Sequence, residues 1–370
     1  MPDGKAFRVL SLDGGGMRGT YTATYLDRLA ATFAQRRNIA RLDLGAAFDL
    51  IVGTSTGAII ACALAVGVPL SEVVDLYKKH GKAIFPRRLP SRADAELLRD
   101  LITRRRALAA GEVALRKALT ETLGDTTVGK FYRERKIALA ITAVELTQHR
   151  SWVFKTPHLQ NTNRRDDNYR LVDVCMASTA APIYRSLAAI DHPDSPASDG
   201  YNVFADGGLW ANNPVLVGLI DALEMTDSGR RIEIFCLGTC PLPAGEQVGK
   251  TELNRGLQAW KFGGGAAGLS IDAQEFAYDH MARLLAKHVD RPCEVVRFPR
   301  DKIPAALMPY LDLDDTRPEA ISALINQART DADMTNSRCG NPGDPAGQLI
   351  GRLFSDVPAW NGSAGGQESQ

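Results

Sequence analysis

Hydrophobic positions fall into short apolar runs separated by segments of helical period. Phe7 to Leu12 reads as a strand and runs into Asp13-Gly14-Gly15-Gly16-Met17-Arg18-Gly19, behind which Tyr21 to Phe33 has helical spacing. Phe48 to Val52 is a second apolar run, followed by Gly53-Thr54-Ser55-Thr56-Gly57 and a small-residue helix from Ala58 to Val66. Lys136 to Val144 is apolar at nearly every position, as in a strand buried on both faces, and Ser151 to Phe154 is expected to pair nearby. Helices are predicted from Ser71 to His80, Glu112 to Leu123 and Tyr169 to Ala181. Tyr201 to Ala205 is a further strand, and Arg231 to Leu237 is expected to be the last one. The length and composition allow one large α/β domain with additions, or two modest domains.

Beyond the last expected strand the period is helical. Gly263 to Gly268 reads as a hinge or loop, and Ser270 caps an amphipathic helix to about His288 with Ile271, Phe276, Met281, Leu284 and Leu285 on its apolar side. Thr316-Arg317-Pro318-Glu319 is a capping box opening a helix through Ile321, Leu324, Ile325 and Ala328. Asp191 to Asp199 is expected to be a surface loop, and Asn341 to Gly347 and the tail from Asn361 to be poorly ordered. The expected organisation is a catalytic core over 1–240, a helical extension packed on it over 241–360, and a disordered tail over 361–370.

A chain of 370 residues with 45% hydrophobic content supports a sizeable core, and a net charge of +1 argues against a dedicated nucleic-acid binder. The arginines between Arg87 and Arg106 read as a solvated helix face or as a basic rim that attracts anionic lipid headgroups or an anionic effector. Cys62, Cys175, Cys236, Cys240, Cys293 and Cys339 are scattered, and no spacing suggests a metal site. No apolar run approaches bilayer length, so the expectation is a soluble cytoplasmic protein that meets lipid from the surface.

The candidate chemistry lies in the glycine turns. Ser55 at the centre of G-x-S-x-G, between a strand and a helix, is a nucleophile elbow. The N–H groups of the Gly14 to Gly16 loop can converge on an oxygen that becomes an oxyanion when a serine attacks a carbonyl, and Arg18 can add positive charge or anchor the loop. Gly14, Gly16 and Gly19 also satisfy the dinucleotide-binding pattern G-x-G-x-x-G, but Gln35, Arg36 and Arg37 stand where an acidic strand end is wanted. A serine needs a base. His280 and His288 lie on a predicted helix, and the other candidate is Asp206 in the turn Asp206-Gly207-Gly208, which would work as base in a partly desolvated pocket.

Together, Asp13-Gly14-Gly15-Gly16-Met17-Arg18-Gly19, Gly53-Thr54-Ser55-Thr56-Gly57, Ala177-Ser178-Thr179-Ala180-Ala181-Pro182 and Asp206-Gly207-Gly208 resemble, in order and spacing, the blocks of the patatin-like phospholipases. The resemblance runs from about Phe7 to Pro214. It implies a three-layer fold with a mostly parallel central sheet flanked by helices, to which a C-terminal helical addition is joined. It also implies a dyad of Ser55 as nucleophile and Asp206 as base, an oxyanion hole from Gly14, Gly15 and Gly16 backed by Arg18, and hydrolysis of lipid acyl esters with neither metal nor cofactor. Gly208 stands where many members have alanine. The whole chain is similar to patatin-like effectors of cyclic-nucleotide antiphage systems (CBASS), which implies a cyclic di- or trinucleotide activator, a homo-oligomer on activation, and peripheral action on the inner membrane. The alternatives are a constitutive lipid acyl hydrolase, an NADP-binding protein using the glycine loop, and a non-catalytic lipid- or nucleotide-sensing module.

Overall fold

The computed structural model describes residues 5–90, 95–193, 200–240, 248–256, 258–260, 263–299 and 303–362. In chain order these carry β1 (Phe7–Leu12), α1 (Gly19–Arg36), β2 (Leu50–Thr54), α2 (Thr56–Val66), α3 (Leu70–Ile84), α4 (Ala95–Leu123), α5 (Val128–Arg135), β3 (Ala138–Glu145) and β4 (Arg150–Lys155). There follow α6 (Leu171–Ser178), β5 (Ala188–Asp191), β6 (Tyr201–Asp206), α7 (Gly208–Ala211), α8 (Val215–Met225), β7 (Ile232–Leu237), α9 (Gly264–Leu285), β8 (Cys293–Phe298), α10 (Pro318–Cys339) and α11 (Pro345–Asp356).

β3, β2, β1, β7 and β8 run parallel in that order, and β4, β5 and β6 are added antiparallel on the β3 side. Side-chain alternation divides the core. Phe7 and Val9, Leu50 and Val52, Ala138 and Ala140, and Ile232 and Ile234 point to one face with Val215, Leu219 and Ala222 of α8. Leu10 and Leu12, Ile51, Leu139 and Ile141, and Phe235 and Leu237 point to the other, under helices that include α1 to α4, α6, α10 and α11. Successive strand side chains face opposite ways, so covering both faces yields the three layers and the unbroken apolar runs.

The segment after β7 adds a strand as well as helices. The expectation that Arg231 to Leu237 closes the sheet is corrected by β8, whose Cys293–Phe298 pairs in parallel with Ile232–Leu237. Gly263 to Gly268 is largely helix, because α9 begins at Gly264. The predicted helix over Glu112 to Leu123 is the second half of the 29-residue α4. Asn341 to Gly347 is ordered: Asp344 caps α11 by accepting the N–H of Gly347 at 2.9 Å. The C-terminal helices are held by buried polar bonds, Tyr21 to Asp331 at 2.5 Å and Tyr25 to Thr335 at 2.6 Å, and Arg8 joins Glu233 of β7 to Asp356 of α11. Residues 194–199 of the expected surface loop and 363–370 of the expected tail lie outside the described residues.

Candidate active site

The meeting of the two candidate residues follows from strand register. A strand has two edges, and β3 has three partners. Ala140 to Thr142 pair with β2 and β4 at once, so those two take opposite edges, while Ala143 to Glu145 pair with β4 and β6. β6 therefore occupies the edge that β2 leaves. Thr54 sits opposite Thr142 and Asp206 opposite Ala143, so the C-terminal ends of β2 and β6 abut at adjacent positions of one strand.

β2 leaves the sheet at Ser55, which has φ 53° and ψ −121° and begins the entry into α2. A side chain at Gly57 would place its Cβ 2.2 Å from the carbonyl oxygen of Leu12, and one at Gly53 would lie 2.6 Å from that of Gly57, so the elbow admits neither. The Ser55 hydroxyl donates to Asp206 Oδ2 at 2.7 Å, and the Gly208 N–H donates to Asp206 Oδ1 at 2.7 Å. At Gly207 a Cβ would lie 2.2 Å from the Thr142 hydroxyl oxygen, which keeps that turn bare and tight against β3.

Burial pushes the Asp206 carboxyl up to about 6, with the bonds from Ser55 and Gly208 and the charge of Arg185 pulling the other way. A carboxyl titrating there is ionised at neutral pH yet basic enough to take a proton from a hydroxyl.

Ser55, Asp206, Gly15, Gly16 and Gly208 share a cleft of about 130 Å³ whose wall is mostly apolar, with Ile59, Ile84, Phe85, Leu115 and Leu313 among its lining residues. The Gly14 N–H donates to the Asn212 carbonyl at 3.0 Å and so is taken, which corrects its expected place among the oxyanion donors. The N–H groups of Gly15 and Gly16 carry no hydrogen bond to a described residue. Arg18 is buried and is not among the residues lining the cleft, and Gly19 begins α1. No histidine lines the cleft among the described residues, and His280 stacks on Phe276 with ring centroids 6.4 Å apart.

The model of the patatin-like phospholipases matches residues 10–219, which takes in all three glycine turns. The chain belongs to the patatin-like phospholipase family. It is 35% identical over 280 residues to a cGAMP-activated phospholipase of Pseudomonas aeruginosa, covering 75% of this chain and 74% of that one. A cGAMP-activated phospholipase of Vibrio cholerae is 35% identical, covering 57% of this chain and 56% of that one. A cUMP-AMP-activated phospholipase of Escherichia coli is 30% identical, covering 58% of each.

In this patatin-like phospholipase the end of α6 and the residues just after it join the two halves of the site. Ser178 Oγ accepts the Ser55 N–H at 2.8 Å, its carbonyl accepts the Gly207 N–H at 3.3 Å, and the Ala180 carbonyl accepts the Asp206 N–H at 3.0 Å. The composition of this run of small residues does not by itself reveal these bonds. Asn212 was likewise missed: its side chain donates to the Gly14 carbonyl at 3.3 Å, fastening the glycine loop from a second direction. Ahead of that loop, Asp13 is fully buried, pairs with Arg297 of β8 at 2.6 Å, and is pushed up to about 7 by desolvation. Within the arginine-rich segment, Arg104 pairs with Asp100 at 2.7 Å and Arg88 reaches Asp315 at 3.7 Å, so part of its charge is spent on local ion pairs.

Proposed function

We propose that this patatin-like phospholipase hydrolyses carboxylic ester bonds of membrane phospholipids through Ser55 and Asp206 and is switched on by a cyclic oligonucleotide. The observation that carries the hydrolytic reading is the 2.7 Å bond from Ser55 Oγ to Asp206 Oδ2 beside an apolar cleft. Asp206 takes the hydroxyl proton as Oγ attacks the acyl carbon, and the carbonyl electron pair moves onto oxygen facing the free N–H groups of Gly15 and Gly16. Collapse of the tetrahedral intermediate breaks the bond to the glycerol oxygen, which takes the proton from Asp206 and leaves the acyl group on Ser55. Water then attacks the acyl-enzyme, giving one proton to Asp206. The fatty acid leaves as that proton returns to Ser55.

The nucleotide-controlled half is supported by the relatives named for cGAMP and cUMP-AMP activation. An activator works by binding the competent state more tightly than the resting one. In this reading residues 1–240 form the catalytic core, 241–360 the extension that completes its sheet, and the enzyme acts from the cytoplasmic side of the inner membrane as an antiphage effector. Oligomer formation on activation belongs to the same proposal. No helix among the described residues is long and apolar enough to cross a membrane.

The test is fatty acid release from phospholipid vesicles, alone and with a panel of cyclic di- and trinucleotides, with Ser55→Ala as control. Release that needs one nucleotide and Ser55 is the expected result. Equal release without nucleotide contradicts the switch, and no release under any condition contradicts the phospholipid substrate.

A further inference from the structure

Among the described residues lining the cleft there is one anion, Asp206, and one cation, Arg185. The reaction accounts for the anion and leaves the cation unused. Arg185 is 6% exposed, and its Nε and Nη1 have no hydrogen-bond partner among the described residues. Its Nη2 reaches only the Gly111 carbonyl, at 3.5 Å, and its guanidinium carbon lies 5.8 Å from the Phe85 ring centroid. The charges of Glu112 and Asp206 act on it through space, and burial pushes it down to about 10, so it stays protonated at neutral pH.

A buried guanidinium with two unpartnered nitrogens is costly unless something supplies acceptors. Asp206 does not need it for geometry, since both of its oxygens are already bonded, one to Ser55 and one to the Gly208 N–H. The acyl chain does not need it either, because the wall around Ile59, Ile84 and Phe85 suits a hydrocarbon. We propose that Arg185 receives the phosphodiester of the substrate, so that the cleft selects acyl esters that carry a phosphate over uncharged ones. The proposal rests on the lipid acyl hydrolase reading of the same cleft and adds the group that sets its substrate class. In a glycerophospholipid the phosphate is joined to the scissile ester through the glycerol. With that ester at Ser55, the phosphate lies farther along the same cleft, where a planar guanidinium can take two of its oxygens. The fatty carboxylate, by contrast, is released at Ser55 itself, facing the Gly15 and Gly16 N–H groups.

The experiment compares phosphatidylcholine with diacylglycerol of the same acyl chains in mixed micelles, using the full chain with the nucleotide panel, as wild type, Arg185→Met, Arg185→Lys and Ser55→Ala. Wild type is expected to prefer the phospholipid. In Arg185→Met the ratio of kcat/KM for phospholipid over diacylglycerol falls roughly 10- to 100-fold, and Arg185→Lys retains part of it. A wild-type ratio near one, or an equal fall on both lipids in Arg185→Met, overturns the proposal while leaving an acyl hydrolase. Failure of wild type to exceed Ser55→Ala on either lipid overturns the hydrolase reading as well. Oleate inhibition that weakens in Arg185→Met while the ratio holds assigns the cation to the product carboxylate and also overturns it. If Arg185→Met does not fold, wild type alone decides: a dialkyl ether phosphatidylcholine should inhibit at least roughly tenfold better than the matching dialkylglycerol, and equal inhibition contradicts the proposal.

Discussion

The backbone N–H of Ser55 is held by the hydroxyl of Ser178, 123 positions later in the chain, at 2.8 Å. Ser55 stands in the left-handed region, and this bond is one of the contacts that fix it there with its own hydroxyl toward Asp206. Ser178→Ala leaves a buried N–H unanswered, at a cost of about 1–3 kcal/mol. A lower Tm and a kcat reduced by roughly tenfold are expected, checked by thermal unfolding and steady-state hydrolysis.

Activity should follow the ionisation of Asp206. With its carboxyl pushed up to about 6, the rate falls as pH drops through that value and reaches a plateau above it. Folding responds in the opposite sense. A carboxyl raised above its ordinary 3.8 favours the folded state only while protonated, and that contribution is lost as pH rises through about 6. Asp206→Asn should therefore be inactive yet unfold at a higher temperature than wild type at pH 8, with the difference vanishing below pH of about 4. A pH series of kcat and Tm on both proteins checks this.

Gly57→Ala should damage the fold before it damages chemistry. The added methyl meets two backbone carbonyl oxygens, those of Leu12 at 2.2 Å and Asp13 at 2.7 Å, and neither can rotate away. A loss of about 2–3 kcal/mol is expected from overpacking, measured by denaturant unfolding.

Arg297 ties the glycine loop to the C-terminal segment. It meets Asp13 at 2.6 Å, Asp279 of α9 at 3.0 Å and Glu275 of α9 at 3.5 Å. Arg297→Met leaves three carboxylates facing each other, and removing one side of a buried pair costs about 3–5 kcal/mol. The loss should be larger at pH 8 than at pH 5, because Asp13, already near 7, takes up a proton at the lower pH. Thermal unfolding at the two values checks it.

The parts legible in the sequence were those whose physics is local. Gly53 and Gly57 announce an elbow because close backbone approach forbids a side chain there, and β1, β2, β3 and β7 read as strands because they are buried on both faces. β8 was hidden because Glu294 and Arg297 interrupt its apolar pattern, and Arg297 is there for Asp13, far away in sequence. In α9 the helical period was present, but Phe276 is 79% exposed and Ala282 is fully buried. That helix is also held by the pairing of Asp279 and Glu275 with Arg297 and by the Tyr278 hydroxyl donating to the Trp210 carbonyl at 2.6 Å, which hydrophobic spacing does not register. Asn212 and Arg185 carry no local signal, and the block that contains Ser178 does not show what its hydroxyl bonds. Their importance depends on which strand ends the topology brings together.

Catalysis turns on Ser55 being the nucleophile and Asp206 being what makes it one. The most direct measurement is intact-mass and peptide mass spectrometry after exposure to a lipid-like fluorophosphonate, which phosphonylates an activated serine and releases fluoride. Wild type should gain one adduct, on Ser55, and Asp206→Asn should gain it at least roughly a hundredfold more slowly. An adduct on another residue, or equal labelling of Ser55 in Asp206→Asn, would contradict the dyad.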